Sequence, residues 1–257
     1  MKQRLENKIA LVTGIGAGIG RECALMFARH GATVIGCDIN PKTAEETVAA
    51  AAAEGLAMTS VHPIDLTNPA DVQRFVDAAG SKYGRIDVLL NAGAIAPPMA
   101  KLAEMDYEKQ WTATMKGEVD LVFLACKAAW PLMLVSGNAS IINFASVSAF
   151  RASLMLGLGA HCAGKAAVLA LTRQLAQEGG PGIRANTIAP GMVMTAATQG
   201  DEKVADQGYK DKLLARIPMK RLGMPSDIAW AAVFLASDES SWVTGSNFPI
   251  DGGIMAV

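Results

Sequence analysis

The chain has 257 residues, 51% of them hydrophobic and 18% charged, with a formal net charge of −1. That is ample material for one buried core. Near-neutrality excludes the basic face that a nucleic-acid or anionic-membrane binder needs, so a small-molecule partner is expected. The opening stretch "MKQRLENKIALVTG" has charged residues directly before a short apolar strand, without a signal core or cleavage pattern. No apolar run reaches the roughly 18 residues of a membrane span, and a cytoplasmic, non-membrane protein is expected. Cys23, Cys37, Cys126 and Cys162 are scattered, as reduced thiols are. His30, His62 and His161 fall in separate elements, so no metal site is expected.

In chain order, "KIALVTG" (8–14) reads as a strand ending in glycine, and 19–31 as an amphipathic helix closed by Gly31. A second strand (33–39) precedes an Ala/Glu-rich helix (41–55) that opens on Pro41. A strand at 58–66, a helix at 68–84, a strand at 86–93 and a helix near 105–134 continue the alternation. Then come a strand (139–146), a helix (160–178), a strand (183–191), a mobile-looking segment near 192–215, a helix (225–237) and a last strand (246–252). Near-continuously apolar strands alternating with helices predict a parallel sheet covered on both faces, a doubly wound α/β fold. No linker divides the chain. One domain over 1–257 is expected, with a cofactor half to about 135 and a catalytic and substrate half from about 136.

"TGIGAGIG" (13–20) follows the first strand and opens the first helix. Gly14 allows the tight turn, and Gly18 and Gly20 allow close backbone approach beside Ile19. The helix N-terminus then offers free N–H groups and a positive dipole to a pyrophosphate. Asp38 closes the second strand. Its carboxylate suits two ribose hydroxyls and would repel a 2′-phosphate, which favours NAD.

The spacing TGxxxGxG, with the motifs that follow it, resembles the short-chain dehydrogenase/reductase family from about residue 5 to the end. "IDL" (64–66) resembles the family's adenine-contacting segment, which would put Asp65 and Leu66 at the cofactor. "LNAG" (90–93) resembles its Asn-Asn-Ala-Gly, keeping Asn91 and Gly93 and placing Leu90 where the first Asn stands. "NTIAPGMVMT" (186–195) is similar to the segment whose Pro190, Gly191, Val193 and Thr195 would wrap the nicotinamide carboxamide. "SSWVTGSNFPIDGG" (240–253) is similar to its C-terminal signature. The resemblance implies a Rossmann fold and interconversion of a secondary alcohol and a ketone. It also implies a catalytic Ser, here Ser146 of "NFASV", and a Lys that binds the nicotinamide ribose, here Lys165.

Two positions depart from that pattern. His161 stands where the family has the tyrosine four residues before the lysine, and an alignment on Trp111 and Phe123 puts Glu118 where it has an asparagine. The stretch from Ser146 to His161 is also slightly longer than in the family, which leaves Ser148 in competition with Ser146. Three readings follow. His161 takes over the proton transfer, since an imidazole already titrates near neutrality. Alternatively, Ser146, His161 and Glu118 form a nucleophile–base–orienter set of a hydrolase or lyase. In the third, the site is inert or impaired.

Pocket walls are expected from 94–100, 153–159 and the lid near 192–215; the first two are apolar and suggest an apolar or cyclic substrate. Arg151 is the nearest cation that could clamp a carboxylate, and a surface position is expected for it. The helix at 163–178 shows small and apolar residues on more than one face, and the resemblance implies subunit pairing there, a homotetramer or at least a dimer.

Overall fold

The computed structural model describes residues 3–96, 98–152, 157–199 and 206–256. Seven parallel strands form one sheet: β1 (Ile9–Thr13), β2 (Thr33–Cys37), β3 (Met58–Val61), β4 (Val88–Asn91), β5 (Ala139–Phe144), β6 (Ile183–Pro190) and β7 (Asn247–Ile250). Their order across the sheet is β3-β2-β1-β4-β5-β6-β7. The connecting helices are α1 (Gly18–Arg29), α2 (Pro41–Ala53), α3 (Pro69–Tyr83), α4 (Tyr107–Ser136), α5 (Gly159–Gly179), the short α6 (Ala196–Gln199) and α7 (Gln207–Ala215), and α8 (Pro225–Ala236).

Strand periodicity explains the two layers. In β1, Ala10 and Val12 face a core shared with α1 and α8, while Ile9 and Leu11 face the opposite core beneath α3, α4 and α5. Leu90 and Leu89 of β4, and Ile142 and Ile141 of β5, divide in the same way. Alternate side chains leave opposite faces of a strand, so a sheet packed on both sides needs both sets apolar. The doubly wound expectation holds.

Several elements differ from the sequence reading. The third strand stops at Val61 instead of continuing to 66; Pro63 has no N–H to offer a sheet ladder. The segment near 192–215 carries α6 and α7, with 200–205 outside the described residues. Among the described residues one helix, α4, is long and apolar enough by length and composition to cross a membrane, against the expectation from apolar runs alone. In the fold one side of it packs on α3, β4 and β5, while Phe123, Leu134 and Val135 are exposed. Its start is π-helical over Tyr107–Thr112 and again over Lys116–Asp120. Such wide turns recur at functional sites.

Candidate active site

The sheet order reverses direction between β1 and β4, and a crevice opens at their carboxyl ends, where open α/β sheets bind ligands. Gly14 leaves β1 with φ +70°, and its N–H donates to the Cys37 carbonyl at 2.8 Å. A Cβ on Gly14 would stand 2.8 Å from Gly93 Cα, and one on Gly20 would stand 2.1 Å from the Gly14 carbonyl oxygen. Any side chain at either position would fill the cradle. The residue before α1, Ala17, provides no side-chain cap. The first N–H groups of the helix are therefore open to an anion. Ile19 packs down onto the core, and Gly18 has φ +57° with the Thr195 methyl 3.2 Å from where its Cβ would be.

Asp38 lies on the crevice wall with Ala17 and Ile39. One carboxylate oxygen accepts from Gly16 N–H at 2.8 Å and the other from Asn40 N–H at 2.9 Å, so two backbone donors set its orientation. Asp65, Leu66 and Gly93 line the same crevice. Asp65 is exposed, its Oδ1 accepting from the Thr67 backbone and hydroxyl. Leu66 packs over Gly93, where a Cβ would meet it at 2.5 Å. The Asn91 side chain is buried within the sheet and not on the crevice wall. β4 and β5 pair Asn91 with Asn143 in register, and Asn91 Nδ2 donates to Asn143 Oδ1 at 2.8 Å. Asn143 in turn donates to Thr172 of α5 at 2.9 Å. Asn143 and Thr172 were not expected; the polar residue inside the apolar run "SIINFA" was the signal for the first.

The segment after β6 returns to this crevice. Pro190 ends the strand, Gly191 N–H donates to Ile250 O at 3.0 Å, and Val193 is buried and bridged to Gly223. Thr195 completes the approach to Gly18. The glycine loop and Asp38 form a crevice suited to a dinucleotide, and Thr195, 181 positions after Gly14, closes on Gly18 beside it.

Beyond β5 the chemistry changes. Ser146 stands two residues beyond β5 in extended backbone, and its Oγ accepts from Ser148 N–H at 3.1 Å, which fixes the turn Val147–Ala149 against α5. Glu118, in the second π-helical stretch of α4, is 1% exposed. His161, in the first turn of α5, meets it: His161 Nδ1 lies 2.6 Å from Glu118 Oε1. That is hydrogen-bond distance, and it suits a ring N–H donating to the carboxylate oxygen. Glu118 Oε2 is buried without a hydrogen-bond partner among the described residues. One turn further, Lys165 Nζ donates to the Phe144 carbonyl at 3.3 Å from a nearly inaccessible position. Burial pushes the Lys165 ammonium below its ordinary range, and the Glu118 carboxylate opposes that. The structure thus brings Glu118, His161 and Lys165 together. It makes no hydrogen bond between Ser146 Oγ and His161.

Val147, Met192, Met194, Leu214 and Met255 gather around Leu213, Ile217, Leu222 and Ile254, an apolar wall beside the Ser146 turn. Of the other expected walls, Ala94 and Ile95 line the nucleotide crevice, and Ala100 bridges to Leu158. Pro97 and residues 153–156 lie outside the described residues. Arg151 is no surface cation: it is partly buried and donates to the Ile254 carbonyl. Burial pushes the thiols of Cys23 and Cys37 well up and that of Cys126 up to about 12, so these three are inert packing groups.

Residues 14–255 match the family described as enoyl-(acyl carrier protein) reductase. A 3-oxoacyl-(acyl-carrier-protein) reductase of Thermotoga maritima is 37% identical across 98% of this chain and 99% of its own length. D-threitol dehydrogenase of Mycolicibacterium smegmatis is also 37% identical, across 97% of this chain and 94% of its own. A gluconate 5-dehydrogenase from Burkholderia cenocepacia, solved with NADP and tartrate, superposes with a TM-score of 0.91 at 31% identity, covering 100% of this chain and 98% of that one. A parallel sheet in this order, a glycine cradle at its switch point and relatives matched end to end lead to one conclusion: the chain belongs to the short-chain dehydrogenase/reductase family of oxidoreductases.

Proposed function

We propose that this oxidoreductase interconverts a secondary alcohol and a ketone on a small apolar or cyclic substrate, with NAD as cofactor and His161 as acid–base. The observation that carries the proposal is the 2.6 Å bond between His161 Nδ1 and the buried Glu118 carboxylate, one helical turn from Lys165. A carboxylate on Nδ1–H selects the tautomer whose Nε2 lone pair is free. In oxidation Nε2 takes the hydroxyl proton of the alcohol; in reduction it returns that proton to the ketone oxygen. Ser146 Oγ orients the same oxygen, and Lys165 would hold the nicotinamide ribose. The nicotinamide, when bound, supplies the hydride acceptor or donor. The wall of Met192, Met194, Leu214 and Met255 supports an apolar substrate.

NAD is favoured over NADP, although the gluconate 5-dehydrogenase holds NADP. Asp38 presents a carboxylate to the crevice, and no Lys or Arg is among the described residues that line it. A 2′-phosphate would meet a like charge without a cationic partner. The chain is read as one domain that works as a homotetramer. An apolar groove between α4 and α5, lined by Phe123, Trp130, Pro131, Leu171 and Leu175, is the surface a second copy would cover. Light scattering that returns a monomer mass overturns the assembly.

The deciding assay incubates the protein with NAD and a panel of cyclic and acyclic secondary alcohols and follows nicotinamide absorbance. Turnover that disappears in His161→Ala and survives in Ser148→Ala is expected. Tight NAD binding with no turnover of any alcohol or ketone overturns the reading.

A further inference from the structure

Gly164 is the sixth residue of the 21-residue helix α5, and it is buried there. At an interior helical position alanine is the better residue, because glycine loses more backbone entropy on ordering. A glycine here therefore needs a reason. A Cβ built on Gly164 would stand 2.7 Å from Glu118 Oε2, 3.5 Å from Glu118 Cβ and 3.7 Å from Glu118 Cδ. The space that a methyl group would fill is occupied by the Glu118 carboxylate and by nothing nearer.

That carboxylate cannot move aside freely. Its other oxygen is bound to His161 Nδ1 at 2.6 Å, and the side chain is 1% exposed. The wide π-helical turn over Lys116–Asp120 carries Glu118, and that stretch of α4 packs against α5. Gly117 within the same turn lies under Ile95, where a Cβ would meet Ile95 Cγ1 at 2.5 Å. The turn is thus pinned on its far side as well. Toward α5, the missing side chain at 164 gives the carboxylate its room.

We propose that Gly164 is a positioning residue for the acid–base: by lacking a Cβ it makes room for Glu118 to lie between α4 and α5 and to hold the His161 ring by Nδ1. The proposal rests on the reading of His161 as the proton-transfer group, and it names a third position, besides 118 and 161, that must be set for a histidine to work at this site. Glu118 is the charged group bound to His161, and Gly164 faces its other carboxylate oxygen.

The test is Gly164→Ala in the full-length protein, alone and with Glu118→Ala. Two readouts are taken: kcat for alcohol oxidation, and the 1H–15N spectrum of the His161 ring, assigned by its loss in His161→Gln. In the wild type the Nδ1–H resonance is expected downfield, as in a short bond to a carboxylate. In Gly164→Ala it shifts or vanishes and kcat falls by about tenfold or more. In the Glu118→Ala background the same Gly164→Ala change alters kcat by less than about twofold, because the group it displaces is gone. A Gly164→Ala protein that melts higher, keeps the His161 spectrum and keeps kcat overturns the proposal. So does an equal loss of kcat in both backgrounds, which would assign glycine a role independent of Glu118. If His161→Gln retains wild-type turnover, the acid–base reading fails; the ring spectrum still decides whether Gly164 positions Glu118.

Discussion

At the nucleotide end the site is made of backbone: Gly14, Gly18 and Gly20 bring main-chain atoms close, α1 offers uncapped N–H groups, and even the Asp38 carboxylate is held by two main-chain donors. At the end proposed for proton transfer it is made of side chains, with Glu118 from α4 meeting His161 of α5 across 43 positions of sequence, and Lys165 buried one turn further along α5. The first construction tolerates almost no added atom and carries little charge of its own. The second gathers a carboxylate, an imidazole and an ammonium in a nearly dry space, where each group sets the behaviour of the others. A change of proton-transfer chemistry can thus occur at one end while the other keeps its cofactor.

If that separation is real, the largest single effect comes from His161→Ala. Its kcat is expected to fall by about 10²- to 10⁴-fold, or about 3–5 kcal/mol of barrier, while NAD affinity measured by fluorescence titration stays within about twofold. A parallel loss of NAD binding would join the two ends into one unit. Gly14→Ala tests the other side. A side chain forced to φ +70° and against Gly93 costs about 1–3 kcal/mol of stability and weakens NAD binding about tenfold or more. Calorimetry and the same titration read both. An unchanged melting temperature would show that the cradle is looser than its geometry.

A smaller effect is expected at Asp38. Asp38→Ser should remove the preference for NAD over NADP, read as a change of about tenfold in the ratio of kcat/KM for the two cofactors. It should also cost about 1 kcal/mol of stability for the two N–H groups released. A preference that survives would place discrimination elsewhere in the crevice. Lys165→Met separates stability from function. Burial lowers the Lys165 pKa from its ordinary 10.5. A group whose folded pKa is depressed has its full stability above the unfolded value and loses it as pH falls through the folded value. The variant should therefore melt higher than the parent at neutral pH without nucleotide, and that gain should shrink as pH is raised toward 10.5, while turnover is lost. Thermal melts across pH 7–10 decide it. The smallest effect belongs to Ser148→Ala, within about 0.5 kcal/mol of stability and about twofold of kcat. A large loss there would move the catalytic serine from 146 to 148.

The difference between the two ends also explains what could be read from the chain before folding. The strand–glycine–helix unit at 9–29 and the acidic end of β2 are signals carried by neighbouring residues, and local conformation follows from neighbours. The end of β3 at Val61 is not legible in the sequence, because apolar residues continue past Pro63 to Leu66. The alignment points to Glu118, but its bond to His161 depends on the π-helical turn, which has no sequence signature. Asn91 carries a family motif, but its carboxamide is spent on Asn143, a partner that only strand register supplies.

The sequence by itself determined the order of strands and helices, the two-sided apolar sheet and the glycine cradle, because each rests on periodicity and on residues that permit or forbid a backbone shape. The tertiary structure decided the rest: that Glu118 grips His161 by Nδ1, that Gly164 leaves space for it, and that Arg151 is tied to the C-terminal tail. Those are contacts between elements 43 to 103 residues apart or between two packed helices. Their geometry comes from the packing of whole elements, which no short stretch of residues encodes.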